Sequence, residues 1–250
     1  MKKFITLCVA AALLFPAHAG AQVFNHLSAG IGFGTDALNI QIAAPLGSHV
    51  DVIAGYGIGL GVINFTVKDF TLPDPASSSN VNTPLKLGMG MNDGRLLFNI
   101  YPGKSGFHFT VGAYMGSSRF ISGKITNMPA AYNTAGIDVD GYLVKAKNGE
   151  LAVDLCANGI GSHAFAVKPY IGIGFGRAVP TAHAVSFSVD LGAQYQGKPG
   201  LWAKGEGLTG RVADVQITEK QLQEVSKIDE FGKYMTFWPT LTFHLYVKLF

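Results

Sequence analysis

Apolar residues occupy every second position along stretch after stretch of this chain. That period of two limits what it can fold into more than any other feature. The first stretch has Leu27, Ala29, Ile31 and Phe33, with His26, Ser28, Gly30, Gly32 and Gly34 between them. Leu38, Ile40, Ile42 and Ala44 repeat the pattern, and Val50 to Val62 carry it for thirteen residues. It returns at Leu85–Met91, Phe107–Met115, Phe165–Phe175, Val185–Tyr195 and Leu241–Leu249. About eight long strands result, several of them near the ~10 residues that a tilted membrane strand needs.

A strand lying in lipid cannot leave an edge unpaired, so such a sheet has to close. The expectation is an all-β fold, an eight-stranded antiparallel transmembrane β-barrel with long extracellular loops and a short loop helix. Soluble sandwiches also alternate, but their strands are shorter, with a mode of ~5–6 residues. Composition agrees: of 250 residues, 48% are hydrophobic and only 14% charged, the opposite of a disordered chain. Short turns such as Pro45-Leu46-Gly47-Ser48 and Pro102-Gly103-Lys104-Ser105 alternate with long polar loops near Leu72–Asn82 and Gly205–Lys233. The first loop-side connection, Gly34-Thr35-Asp36, is tight.

Three places break the pattern. Met89 and Met91 are odd-numbered, whereas Leu96, Phe98 and Ile100 are even. A β-bulge at Asn92-Asp93-Gly94 explains the switch better than a hairpin turn, because the Pro102 turn already reverses the chain. Asn148-Gly149, between Tyr142–Lys147 and Glu150–Cys156, signals a type I′ hairpin inside a long outer loop. Thr218 with Gln221 forms a capping box, and Leu222, Val225, Ile228 and Phe231 share one face, which predicts a short loop-packing helix.

The chain opens with Lys2 and Lys3, an apolar run from Phe4 to Phe15, then Pro16 and small residues. This reads as a signal peptide over residues 1–21, cleaved after Ala21, with residues 22–250 forming the barrel. The run is too short to cross a bilayer core. Losing Lys2 and Lys3 takes the basic count from 19 to 17 against 16 acids, so no nucleic acid partner is implied. Cys8 lies inside the apolar run, so Cys156 is the only mature cysteine and no internal disulfide can form.

From Val167 the chain resembles a known group. Val167-Lys168-Pro169-Tyr170-Ile171-Gly172-Ile173-Gly174-Phe175-Gly176 is similar to the Pro-Tyr-Leu-Gly-x-Gly strand of the CarO-type outer-membrane proteins, described as ornithine-uptake porins. Phe187 to Pro199 resembles the next strand of that group, with its Gly-x-x-Tyr-x-Gly-x-Pro ending, and Phe237-Trp238-Pro239 also fits. Asn99-Ile100-Tyr101-Pro102 and Gly112-Ala113-Tyr114 match more loosely. The resemblance implies an eight-stranded barrel in the outer membrane of a Gram-negative bacterium, and passive uptake of small solutes such as amino acids. Its C-terminal strand would be read by the barrel-assembly machinery. Phe250 departs from the usual parity, falling on the face of Thr242, His244, Tyr246 and Lys248.

Parity also assigns the lumen. Asp51, Lys86, His108, Tyr114, Lys168, Tyr170, Asp190, Gln194, His244 and Lys248 fall on the interior side, with Arg95 joining them across the bulge. Buried charges need partners, so Asp51 and Asp190 are expected to pair with Lys86, Lys168 or Lys248. An eight-stranded barrel has just enough interior for side chains to fill. The many lumen glycines instead argue for room, for water or a narrow path. Two Asp against at least three Lys do not favour cations, so any cation preference would come from Asp69, Asp74, Asp138 and Asp140 in the loops. A narrow channel, a closed structural or adhesive barrel, and a lipid-modifying enzyme are thus three readings. The enzyme would have only Ser162-His163 and His183 with Ser186 as close pairs. No cofactor is implied, and the His residues lack metal-ligand spacing.

Overall fold

The structure is a computed structural model that describes residues 26–59, 63–73, 80–157, 159–162, 164–218, 220 and 236–250. The expected signal peptide and the expected helix after Thr218 lie outside these residues. In chain order the strands are β1 (Ser28–Gly34), β2 (Leu38–Pro45), β3 (Val50–Ile58), β4 (Ile63–Pro73), β5 (Asn80–Met89), β6 (Asp93–Ile100), β7 (Phe107–Gly116) and β8 (Arg119–Ile125). One helical turn, α1 (Ala131–Thr134), precedes β9 (Ile137–Val139), β10 (Tyr142–Val144), β11 (Leu151–Ala157) and β12 (Ile160–Gly161). Then come β13 (Ala166–Gly176), β14 (Val185–Tyr195), β15 (Pro199–Gly207), β16 (Val212–Ile217) and β17 (Phe237–Lys248).

Eight of these strands close into a barrel in the order β1-β2-β3-β6-β7-β13-β14-β17. β17 returns to β1, and β7 meets β13 over ten register pairs from Ala166↔Gly116 to Phe175↔Phe107. Every pairing is antiparallel, and barrel neighbours follow one another along the chain. One end carries the compact turns at 46–49, 101–106 and 177–184. The other carries the tight turn after Gly34 and three long excursions.

The barrel is inside-out relative to a soluble fold. Phe187 is 73% exposed and Ile171 67%, and Phe33, Ile40, Phe109, Phe175 and Phe243 also point outward, while Lys168 and His108 are completely buried. Apolar side chains facing out and polar ones facing in, alternating along every strand, form the lipid-facing belt of a transmembrane barrel. Phe250 and Leu249 lie beyond the end of β17 and are both exposed, so strand parity does not govern Phe250. The terminus is held by Leu27 N donating to Phe250 O at 3.2 Å and Leu249 N donating to Leu27 O at 2.7 Å.

The described parts of the long loops build a second sheet in the order β4-β5-β8-β11-β15-β10-β9, with β16 on β15. It has its own core, including Leu72, Ile125, Tyr132, Val144, Val153 and Ile217. This corrects the reading of Leu85–Ile100 as one bulged membrane strand. β5 pairs with β4 and β8, whereas β6 pairs with β3 and β7, so the chain passes from one sheet to the other at residues 90–92. The parity switch marks that crossing. Gly90 N donates to Phe120 O at 3.1 Å there, and Gly59 N donates to Asn92 Oδ1 at 3.1 Å.

Met91, Phe120, Ile121, Ala157 and Trp238 pack into an apolar joint between sheet and barrel. The Phe120 and Trp238 rings lie 6.1 Å apart. Asn148 and Gly149 have φ of 53° and 74°, and Lys147 bridges Glu150, as the hairpin signal required. A second such turn, Asp140-Gly141, joins β9 to β10 with φ of 50° and 84°. Asp138 Oδ1 accepts from Gly141 N at 3.0 Å, so this carboxylate holds the turn.

Candidate functional site: the barrel lumen

Inward parity places polar side chains along the whole lumen, and they are arranged in three layers. At the loop end, Arg95 Nη2 donates to Asp36 Oδ2 at 3.1 Å, and the guanidinium stacks 4.7 Å from the centre of the Tyr114 ring. Lys168 Nζ donates to both oxygens of Asp93 at 3.2 Å and to Ser117 O at 2.9 Å. Each of these cations is buried with its own carboxylate, the condition for keeping charge in a low-dielectric interior.

Asp190 is the hub of the middle layer. Its Oδ1 accepts from His108 Nε2 at 2.8 Å and Thr110 Oγ1 at 3.3 Å. Its Oδ2 accepts from Ser188 Oγ at 2.9 Å and His244 Nδ1 at 3.1 Å. His108 Nδ1 faces Gly106 O at 3.1 Å, so both of its ring nitrogens meet acceptors. His108 thereby ties Asp190 to the backbone of the β6–β7 turn. Beside this hub, Tyr114 and Tyr170 meet edge to face at 5.3 Å, and Gln41 Nε2 donates to Tyr246 Oη at 2.6 Å.

The turn end is plugged by the connection between β13 and β14. Ala178 and Val179 are buried in the barrel mouth. Ser28 Oγ donates to Ala178 O at 2.6 Å, Ala178 N donates to Tyr101 Oη at 3.2 Å, and Val179 N donates to Asp51 Oδ2 at 3.3 Å. Arg177 stacks 4.6 Å over the Tyr101 ring. Ala43, Ile53, Leu97, Tyr114, Tyr170, Tyr246, Ala178 and Val179 form one contiguous cluster, drawn from strands all round the wall.

Glycine makes this filling possible rather than preventing it. A Cβ at Gly30 would stand 2.6 Å from the Tyr246 ring, and one at Gly32 would strike His244. Gly172 and Gly192 lie under the Tyr170 hydroxyl, and Gly174 under His108. The space expected from these glycines is therefore occupied by aromatic side chains lying flat against the wall. What remains between Gln41, Asn99, Tyr114, Tyr170, Asp190 and Tyr246 is a cavity of about 10 Å³, room for roughly one water.

Nine of the eleven residues assigned by parity face this interior: Asp51, Arg95, His108, Tyr114, Lys168, Tyr170, Asp190, Gln194 and His244. Lys248 is half-buried where β17 ends. Lys86 is a correction: it is exposed on β5 of the second sheet, because the strand it belongs to never enters the barrel. The expected pairing partners also differ, since Lys168 takes Asp93 and Asp190 takes two histidines. Asp36 and Asp93 were missed because Asp36 sits in the β1–β2 turn and Asp93 at the first residue of β6, where parity is undefined. Ser162 closes a local turn with Phe165, and Ser186 Oγ donates to Arg177 O at 2.6 Å. His163 lies outside the described residues.

No family model matches the chain, and no curated protein matches it. Among solved structures it is similar to CarO2 of Acinetobacter baumannii, at 18% identity and a TM-score of 0.49, covering 91% of this chain and 99% of that one. CarO of the same organism gives 18% identity and a TM-score of 0.43, covering 89% of this chain and 96% of that one. Both carry the name of the group that the strand motifs resemble. The barrel described above rests on its own strand pairing.

Proposed function

We propose that this chain is an outer-membrane protein of a Gram-negative bacterium whose barrel is sealed and whose long loops present a folded β-structure at the cell surface. The observation that carries the reading is the packed lumen: ion pairs, the Asp190 hub, the tyrosine cluster and the 177–184 plug leave about 10 Å³ at mid-barrel. Short turns at one end and long excursions at the other support an outward-facing second sheet, as in outer-membrane barrels. The lipid of that membrane is the partner of the apolar belt, and the C-terminal segment offered to the assembly machinery is the end of β17 with the two residues after it, ending in Phe250.

Liposome swelling with amino acids and small sugars tests the reading. Vesicles carrying the folded protein should swell no faster than empty ones. Uptake well above that background would restore the narrow passive channel that the sequence suggested.

A further inference from the structure

We infer that the outward face of the second sheet is a binding site for an anionic saccharide. Strand register sets two rows side by side on that face. One runs Asn64, Gly88, Ser122, Asp154, Trp202 and Gln216, each opposite the next across neighbouring strands. The adjacent row runs Thr66, Lys86, Lys124 and Ala152, and continues with the Lys204 and Asp214 pair. The opposite face is closed by the sheet's own core.

An open cleft of about 630 Å³ lies over the part of these rows formed by Lys124, Ala152, Asp154, Trp202, Lys204 and Asp214, walled by Lys145 and Lys147 from the β10–β11 connection. That volume falls within the ~300–1,000 Å³ of small-ligand sites. Its chemistry is selective. Half-buried Trp202 offers a flat apolar surface to the C–H face of a sugar ring. Asp154, which Arg119 holds, offers a partner to sugar hydroxyls beside it, and Ala152 and Ala203 leave floor space.

Five cations line the cleft against three carboxylates. Arg119 pairs with Asp154 at 3.4 Å and Lys124 with Glu150 at 2.8 Å, whereas Lys145 and Lys147 make no ion pair among the described residues. Lys86 and Lys124 stand directly opposite each other on β5 and β8. Glu150 already answers Lys124, so the unanswered charge of the cleft rests on Lys145 and Lys147. A neutral sugar would leave this excess unanswered, and a phosphate or carboxylate on the ring would answer it. The inference takes from the proposed function only that this face looks outward. Binding to purified protein is read independently of permeability.

The test is emission from the folded full chain in detergent micelles, titrated with trigalacturonate, with neutral maltotriose, with lipopolysaccharide and with phosphatidylglycerol vesicles. The chain has two tryptophans, so a Trp202→Phe variant leaves Trp238 as the control. Trigalacturonate should perturb Trp202 emission, and maltotriose should bind at least about tenfold more weakly. Lys145→Gln with Lys147→Gln, whose side chains are both exposed, should weaken binding about tenfold with folding unchanged. A response to lipopolysaccharide alone would assign the saccharide to a glycolipid, and a response to trigalacturonate alone to a free polymer. No response, equal affinity for maltotriose, equal affinity for phosphatidylglycerol vesicles, or indifference to the lysine variants would each overturn the inference.

Discussion

Replacing Asp190 by Asn changes one atom and should cost the barrel much of its stability. The carboxylate accepts four hydrogen bonds, from His108, Thr110, Ser188 and His244, all inside the lumen. Hydrogen bonds to a charged group are worth ~1.5–3 kcal/mol each, those between neutral groups ~1 kcal/mol. An amide keeps the shape and one acceptor oxygen, but turns its NH2 toward two groups that are themselves donors. Ser188 can rotate to accept, but His108 and His244 both lose a charged acceptor. Summing the lost pair and the weakened one gives about 3 kcal/mol. With a urea slope of ~2 kcal/mol/M, the unfolding midpoint should fall by ~1.5 M. The assay is urea unfolding of the refolded barrel in lipid, followed by heat-modifiable gel migration. Adding His108→Gln to Asp190→Asn should cost less than the sum of the two, because they share one bond. A midpoint within ~0.3 M of the parent would refute the hub. So would Asp190→Asn raising permeability in a fully folded protein.

The other expectations concern the plug, the joint and the thiol. Combining Tyr114→Ala, Tyr170→Ala and Val179→Gly empties the middle and turn-end layers, so conductance should rise from none to a measurable value; a still-silent triple variant would mean the seal lies elsewhere. Phe120→Ala removes the ring packed on Trp238 and should destabilise by ~3–5 kcal/mol, with limited proteolysis cutting first in the second sheet and not in the barrel. Cys156 is buried in β11, and burial pushes its thiol up to about 11, so it stays protonated and unreactive at neutral pH. A maleimide should therefore label it only after unfolding, and rapid labelling of the native protein would show that this part of the sheet opens.

Alternation made the barrel legible, since a period of two with long strands leaves few alternatives once lipid is the solvent. It also identified nine of the interior residues, because parity alone decides which way a regular strand points a side chain. The second sheet was hidden by the same logic. β5 alternates as well as any barrel strand, so Lys86 was assigned to the lumen, and only the parity switch after Met91 betrayed the crossing. β8, β11, β15 and β16 have solvent on one face and a small core on the other, which reads in sequence as a polar loop. Asp140-Gly141 was a usable turn signal for β9 and β10. The lumen glycines were misread for a different reason. A missing side chain looks like empty space in a sequence, and only the register shows that Tyr246, Tyr170, His244 and His108 lie across it.

Single-channel recording in planar bilayers bears most directly on the sealed interior. The folded wild-type protein, inserted at known density, should show no discrete current steps at voltages that leave the bilayer intact. The variant with Tyr114, Tyr170 and Val179 cut back should show them under the same conditions. Steady, ion-selective steps from the unaltered protein would contradict a lumen closed by its own side chains.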